Sequence, residues 1–207
     1  MADDYRDASA LEARIIAIHS YGTNPQPWYD FVRERLPLTR GERVLDAGAG
    51  TGALWEYDHG VRLTLLDRSP AMGRHVQGDA ARLPFRDGAF DGAVCNHVLY
   101  HLARPADGLR ELRRVVRPGG WVAVATNGTG HMAGYGGDVH HVFPAERLGE
   151  ALREHFENVA LHPYDDTLVA PVEAVRAYVA SLGDDPATVT GEGPVTIAKH
   201  TVLAVAT

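Results

Sequence analysis

Val44-Leu45-Asp46-Ala47-Gly48-Ala49-Gly50-Thr51-Gly52 is the stretch of this chain best equipped for chemistry. Apolar residues run into an acid and then three closely spaced glycines, the pattern of a buried strand opening into a tight turn. Glycine tolerates positive φ and lets a ligand approach the main chain, so the turn suits a nucleotide-like cofactor. Alone, the string also fits dinucleotide sites and purely structural turns. Further polar residues close later apolar runs: Asp67 after 61–66, Asp79-Ala80 after His75-Val76-Gln77, and Asn96-His97 after 90–95. A carboxylate at Asp67 can accept both hydroxyls of a ribose, and Asp79 is placed to accept from the exocyclic amino group of adenine. Asp46 would repel a pyrophosphate but suits a ligand bearing an ammonium group. That charge argument favours S-adenosylmethionine over NAD.

The elements that must position these residues alternate in type. A helix is expected over 8–19, a break over Gly22 to Pro27, and a second helix over 28–36 that stops at Pro37. Strands follow at 43–46, 61–66, 75–77 and 90–95, with a short helix after Gly52 that carries Leu54 and Trp55. The segment 105–116 has Leu109, Leu112, Val115 and Val116 on one helical face, and its arginines, interleaved with Asp107 and Glu111, form a solvated one. Pro118-Gly119-Gly120 ends it and introduces a strand over 121–126. A Gly-rich loop (128–137), a helix near 144–155, a strand around 157–162, a helix over 171–182 and a strand over 195–205 complete the chain. This alternation implies an α/β architecture with a mostly parallel sheet and helices on both faces, with ligands at the carboxyl ends of the strands.

Composition narrows the class. With 207 residues, the chain has the size of one ordinary domain with a full core, and its 45% hydrophobic and 23% charged content is that of a globular protein. A net charge of −7 argues against a dedicated nucleic-acid binder, which needs clustered Lys and Arg. Cys95 is the single cysteine, so a reducing compartment fits. The acidic start Met1-Ala2-Asp3-Asp4 lacks the basic and apolar regions of a secretion signal, and no apolar run reaches bilayer length. The expectation is a cytoplasmic protein with no membrane and no nucleic-acid partner; the sequence leaves oligomeric state open.

On these motifs the chain resembles the class I S-adenosylmethionine-dependent methyltransferases along nearly its whole length. VLDAGAGTG looks like their first motif, LTLLDRSPAM the second and GDAARLPF the third. FDGAVCNHVLYHL and LRRVVRPGGWVAVAT are similar to the segments around their fourth and fifth strands. Closer still is a small-molecule, UbiE-like group with a TNP-x-x-W segment (Thr23-Asn24-Pro25 with Trp28), GxLW after the glycines (Gly52 to Trp55) and Gly-x-x-His-Met after strand five (Gly128 to Met132). The resemblance implies a Rossmann-like, doubly wound, three-layer α/β/α domain. Its seven-stranded sheet would have the order 3-2-1-4-5-7-6 with strand 7 antiparallel, and residues 1–36 would form an N-terminal helical lid. It implies S-adenosylmethionine held by Tyr21, Asp46, Gly48, Ala49, Gly50, Gly52, Asp67, Arg68, Met72, Asp79, Ala80 and Asn96. One departure stands out: only eleven residues separate Asp67 from Asp79, so the helix usual there is reduced to about a turn.

Methyl transfer from a sulfonium is an in-line displacement, so the protein mainly supplies alignment and exclusion of water. An oxygen acceptor also needs a base, for which histidine is suited. His131 in the Gly-rich loop and His97 after strand four are the candidates. His97 and His101 lie four apart, as metal ligands on a helix would, but lining and packing roles fit that segment better, and no metal is expected. His140-His141 reads as a solvent loop, Tyr21 as either a lid or a packing residue, and Trp55 as a core residue. The expected activity is methylation of a small molecule, oxygen ahead of nitrogen or carbon, in specialised metabolism. A noncatalytic or non-methylating S-adenosylmethionine-binding protein and an NAD(P)-dependent oxidoreductase are the alternatives.

Overall fold

A computed structural model describes residues 20–56, 59–73, 75–135 and 142–207. The helix expected at 8–19 and the pair His140-His141 lie outside these residues. The strands are β1 (Arg43–Ala47), β2 (Arg62–Asp67), β3 (Val76–Gln77), β4 (Phe90–Asn96), β5 (Val116–Asn127), β6 (Val159–Ala170) and β7 (Val195–Ala206). The α-helices are α1 (Trp28–Arg33), α2 (Pro105–Val115), α3 (Ala145–Arg153) and α4 (Val172–Ser181). The strands form one sheet in the order β3-β2-β1-β4-β5-β7-β6, with β7 antiparallel to both its neighbours and the other pairings parallel. This is the Rossmann-like order that the family resemblance implied.

Strand alternation sorts the core into two layers. One face turns Leu45, Ala93, Cys95, Val122 and Val124 toward Leu109, Leu112 and Val115 of α2 and Leu148 and Leu152 of α3. The other turns Val44, Val94, Ala123, Ala125 and Leu203 toward Trp28, Phe31 and Val32 of α1. On this second face, two residues further along each strand, stand Asp46 and Asn96. Apolar neighbours thus carry the polar groups to the carboxyl edge.

Several boundaries differ from the sequence reading, each for a local reason. α1 ends at Arg33 instead of 36. β5 begins at Val116, before Pro118-Gly119-Gly120, and its register against β4 shifts between Phe90 and Gly92 to absorb that tract. β6 runs to Ala170 instead of 162, because its polar half, Pro163 to Thr167, pairs residue by residue with β7. Proline is tolerated there because β6 is the edge strand. Since β5 meets β7 only from Thr201 to Ala206, the distal half of the β6–β7 ribbon projects past β5. It carries a third apolar cluster, in which Leu168, Ala170 and Ile197 pack with Val172, Val175 and Val179 of α4, with Met132, and with Tyr21 at the margin.

The chain around Thr23 to Gln26 is clasped to this ribbon. Asp166 Oδ1 accepts the backbone N–H groups of Thr23 (2.9 Å), Asn24 (2.8 Å) and Thr167 (2.8 Å). Lys199 Nζ reaches Asp166 Oδ2 at 3.3 Å, and the Tyr164 hydroxyl donates to the Gln26 carbonyl at 2.8 Å. These bonds fix where α1 starts and set Trp28 against Tyr164, with ring centroids 5.1 Å apart.

Candidate functional site

The glycine turn leaves β1 with positive φ at Gly48 (88°), Gly50 (55°) and Gly52 (82°), a path open to glycine and strained for other residues. Its first N–H groups, of Gly48 and Ala49, both reach the Leu66 carbonyl at 2.8 and 2.9 Å, tying the turn to β2. Gly48 also leaves no room for a Cβ, which would drive into the Val98 side chain. Asp67, half-buried at the end of β2, accepts from Gly50 N through Oδ2 and from Ser69 N through Oδ1, each at 2.9 Å. It therefore orders the turn, and its carboxylate retains lone pairs for further donors. His75, read from sequence only as part of a strand, places Nε2 2.9 Å from the Gly50 carbonyl.

Asp46 is 2% exposed. Its Oδ2 accepts from the Trp55 indole Nε1 at 2.7 Å, while Oδ1 is buried without a hydrogen-bond partner among the described residues. Burial pushes its pKa up to about 7; the Trp55 bond opposes the rise and the Asp67 charge adds to it. Tyr29 of α1 is pushed up to about 12, by burial first and then by the Asp46 charge. A buried carboxylate with one unfilled oxygen is a receptor for a cationic donor.

Beyond Asp46, β4 delivers Asn96, whose Oδ1 is likewise buried without a partner among the described residues. His97 follows with φ 60°, and its ring lies 5.3 Å from Trp28 and 6.3 Å from Tyr100. Among the described residues only His97 and Met132 are non-glycines at positive φ; His97 directly follows β4, and Met132 lies in the loop after β5. Such conformations persist where surrounding structure enforces them, and they concentrate at functional sites. His131, beside Met132, is buried with Nδ1 3.0 Å from the His200 carbonyl and 3.3 Å from the His200 amide nitrogen, so one ring nitrogen engages β7 backbone. His101 ends a 3-10 turn with its ring 4.4 Å from Tyr100.

On the β2–β3 side the segment after Asp67 holds a single 3-10 turn, Pro70–Met72, as the short spacing required. Met72 and Ala80 are buried there; Arg68 and Asp79 are exposed, and Asp79 Oδ1 accepts the Ala81 N–H at 2.8 Å. The strand ends thus assemble Asp46, the glycines, Asp67, Asn96 and His97 on β2, β1 and β4, with Met72 and Ala80 flanking. Tyr21 and His131 belong to the β6–β7 side, Tyr21 against the third apolar cluster with its carbonyl accepting from Val169 N at 3.0 Å. Trp55 packs against the second core layer, as expected from the sequence, and its indole also donates to Asp46, which sequence reasoning did not foresee. The signal was present: Trp55 lies three residues past the last glycine, inside the turn that Asp46 opens.

Sheet order, glycine turn and strand-end acids define a Rossmann-like methyltransferase fold. A family model for a methyltransferase domain matches residues 45–124. The demethylmenaquinone methyltransferase of Corynebacterium urealyticum is 36% identical over 161 residues, covering 73% of this chain and 67% of that one. The chain belongs to this family of S-adenosylmethionine-dependent methyltransferases. The malonyl-acyl-carrier-protein O-methyltransferase of Enterobacter lignolyticus is 35% identical over 109 residues, covering 47% of this chain and 43% of that one. Apart from the Corynebacterium urealyticum enzyme, the chain spans about half the length of the curated relatives it matches. Among solved structures, an S-adenosylmethionine-dependent methyltransferase from Aquifex aeolicus superposes with a TM-score of 0.58 at 15% identity, covering 97% of this chain and 99% of that one. The cyclase SpnF does so with 0.63 at 19%, covering 96% and 94%. A Haemonchus contortus N-methyltransferase bound to phosphomonomethylethanolamine and S-adenosylhomocysteine gives 0.62 at 16%, covering 96% and 57%.

Proposed function

We propose that this chain binds S-adenosylmethionine and transfers its methyl group to a small-molecule acceptor, preferentially an oxygen, in specialised metabolism in the cytoplasm. The observation that carries the cofactor assignment is Asp46, buried at the mouth of the glycine turn with one carboxylate oxygen unfilled. That oxygen accepts from the cofactor's ammonium group. Asp67 accepts from the ribose hydroxyls while it holds Gly50 and Ser69, and the positive-φ glycines let main chain pass close to the ligand. Met72 and Ala80 wall the adenine, with Arg68 and Asp79 at its polar edge, and Asn96 Oδ1 offers a further acceptor. When bound, S-adenosylmethionine supplies an electrophilic methyl group on a sulfonium. The protein aligns the acceptor and excludes water, with Tyr21 and the segment 1–36 as the lid and His131 or His97 orienting or deprotonating the acceptor. Support for a small acceptor comes from the relative named for demethylmenaquinone, and support for an oxygen acceptor from the relative named as a malonyl-acyl-carrier-protein O-methyltransferase. The negative net charge disfavours a nucleic acid.

The test is parallel calorimetric titration with S-adenosylmethionine, S-adenosylhomocysteine and NAD, then incubation with a panel of hydroxylated small molecules followed by mass spectrometry. The expected result is binding of both sulfur compounds and formation of S-adenosylhomocysteine in step with a methylated product, lost in His131→Ala or His97→Ala. NAD binding with the sulfur compounds silent overturns the assignment, and S-adenosylmethionine binding without turnover across the panel supports a binding role instead.

A further inference from the structure

We infer that Trp55 is a positioning residue: its indole N–H holds the Asp46 carboxylate so that the second oxygen faces the cofactor's ammonium group. This rests on the proposed use of S-adenosylmethionine and assigns a role that packing alone does not require. Trp55 closes the 3-10 turn Ala53–Trp55, whose N-cap is Gly52, and its own amide donates to the Gly52 carbonyl at 2.9 Å. The indole is therefore carried by the same turn that forms the glycine cradle. The turn is braced from outside, since Arg33 Nε of α1 donates to the Leu54 carbonyl at 3.0 Å and the His59 ring stands edge-on to Trp55 at 5.3 Å. An indole N–H donates and never accepts, so at 2.7 Å from Oδ2 it favours the ionised carboxylate and fixes its plane. Oδ1 is left as the oxygen in need of a donor.

The surroundings say what kind of donor. The charge acting on Asp46 is that of Asp67 on β2, and Asp46 in turn acts on Tyr29 of α1 and Cys95 of β4; none of these is a cation. Glu56, following Trp55, adds negative charge beside Tyr29. Arg33, the cation acting on Tyr29, is committed to the Leu54 carbonyl and to Asp30 at 2.7 Å. Among the described residues no cation faces Oδ1, so the balancing positive charge is assigned to the ligand. In the ligand-free protein, burial favours a proton on Asp46; binding an ammonium group exchanges that proton for a cation, and Trp55 lowers the cost of the exchange.

The experiment follows binding of S-adenosylhomocysteine and of 5′-methylthioadenosine, which keeps the nucleoside but lacks the ammonium group, from about pH 5.5 to about pH 8.5. In the wild type, affinity for S-adenosylhomocysteine rises with pH through the Asp46 titration while that for 5′-methylthioadenosine stays flat. In Trp55→Phe the midpoint of that rise moves up by about one pH unit or more, so near neutrality S-adenosylhomocysteine binds more weakly by about fivefold or more while 5′-methylthioadenosine is unaffected. The ligand's own amino group titrates identically with both proteins, so their difference isolates Asp46. Trp55→His, which keeps a ring N–H, restores part of the loss, and Trp55→Phe has no further effect in an Asp46→Asn background. Equal weakening of both ligands with an unchanged pH profile overturns the inference and leaves the indole a space-filler. If Trp55→Phe does not fold, Trp55→His decides, because equal weakening of both ligands in that variant with an unchanged pH profile also overturns it. A wild type that binds 5′-methylthioadenosine but not S-adenosylhomocysteine sinks this inference alone, and one that binds neither sinks the cofactor assignment itself.

Discussion

Replacing Asp67 with alanine separates the two tasks assigned to that carboxylate. Within the protein it accepts two backbone N–H bonds, from Gly50 and Ser69, each at 2.9 Å. Hydrogen bonds to a charged acceptor contribute about 1.5–3 kcal/mol each, but Asp67 is half-buried and water can re-pair the released N–H groups. The expected stability loss is therefore about 1–3 kcal/mol, a fall in Tm of roughly 2–4 °C per kcal/mol for a domain of this size. On the ligand side, losing two bonds from ribose hydroxyls to a carboxylate removes about 3 kcal/mol or more, which is about a hundredfold in Kd. Calorimetric titration with S-adenosylhomocysteine reads the second effect and thermal melting the first. Asp67→Asn, which keeps one acceptor oxygen, should fall between wild type and alanine in both. Free adenine, which has no ribose, should bind all three proteins alike. A folded Asp67→Ala protein whose Kd for S-adenosylhomocysteine stays within about threefold of wild type would refute the assignment of ribose to this residue.

Asp46→Asn should trade function for stability. The folded-state pKa of Asp46 is raised to about 7, so between the ordinary carboxylate range and neutrality the unfolded chain binds fewer protons and the wild type loses stability as pH rises. Asparagine lacks that loss, so the Tm difference between variant and wild type should grow in the variant's favour from about pH 4.5 to about pH 8, with S-adenosylhomocysteine binding weakened and no longer rising through the Asp46 titration. Gly92→Ala should cost about 1–3 kcal/mol in urea unfolding, since a Cβ there would enter the Trp121 indole, which is itself buried. Asp166→Ala should cost about 3–5 kcal/mol by stranding the N–H groups of Thr23, Asn24 and Thr167 and the buried Lys199 ammonium, whereas Lys199→Met should cost much less. Burial works to raise the Asp166 pKa, but its N–H partners and Lys199 prevail and hold it below the usual carboxylate range. Its contribution is therefore present above that range and should fade in acid, as unfolding curves collected at falling pH will read.

Much of the site was legible in the sequence because strands and glycines are local signals. Val44-Leu45 before Asp46, and Val94-Cys95 before Asn96, mark buried strands whose ends must turn, and a turn with three glycines at two-residue spacing must leave its main chain open. Asp46, Asp67 and Asn96 therefore reach one edge of the sheet as soon as the strands pair in parallel. The short interval from Asp67 to Asp79 likewise predicted that a full helix could not fit there, and one 3-10 turn is what the chain builds. The β6 polar half was not legible, because alternation is interrupted at Pro163 and Asp165-Asp166, and its strand conformation depends on β7 lying beside it.

What the chain's own order of residues determined is the alternating strands and helices and the strand-end acids, since periodicity and turn chemistry act over a few residues. What only tertiary structure decided is which groups those acids meet. Trp55 reached Asp46 because the glycine turn doubles back, Asp166 met Thr23 and Asn24 across more than 140 residues, and Trp121 found Gly92 through strand register. The polarity of the site follows the same division. Asp46 is an acid by sequence, but its raised pKa and its unfilled oxygen arise because folding buries it and, among the described residues, returns one indole N–H.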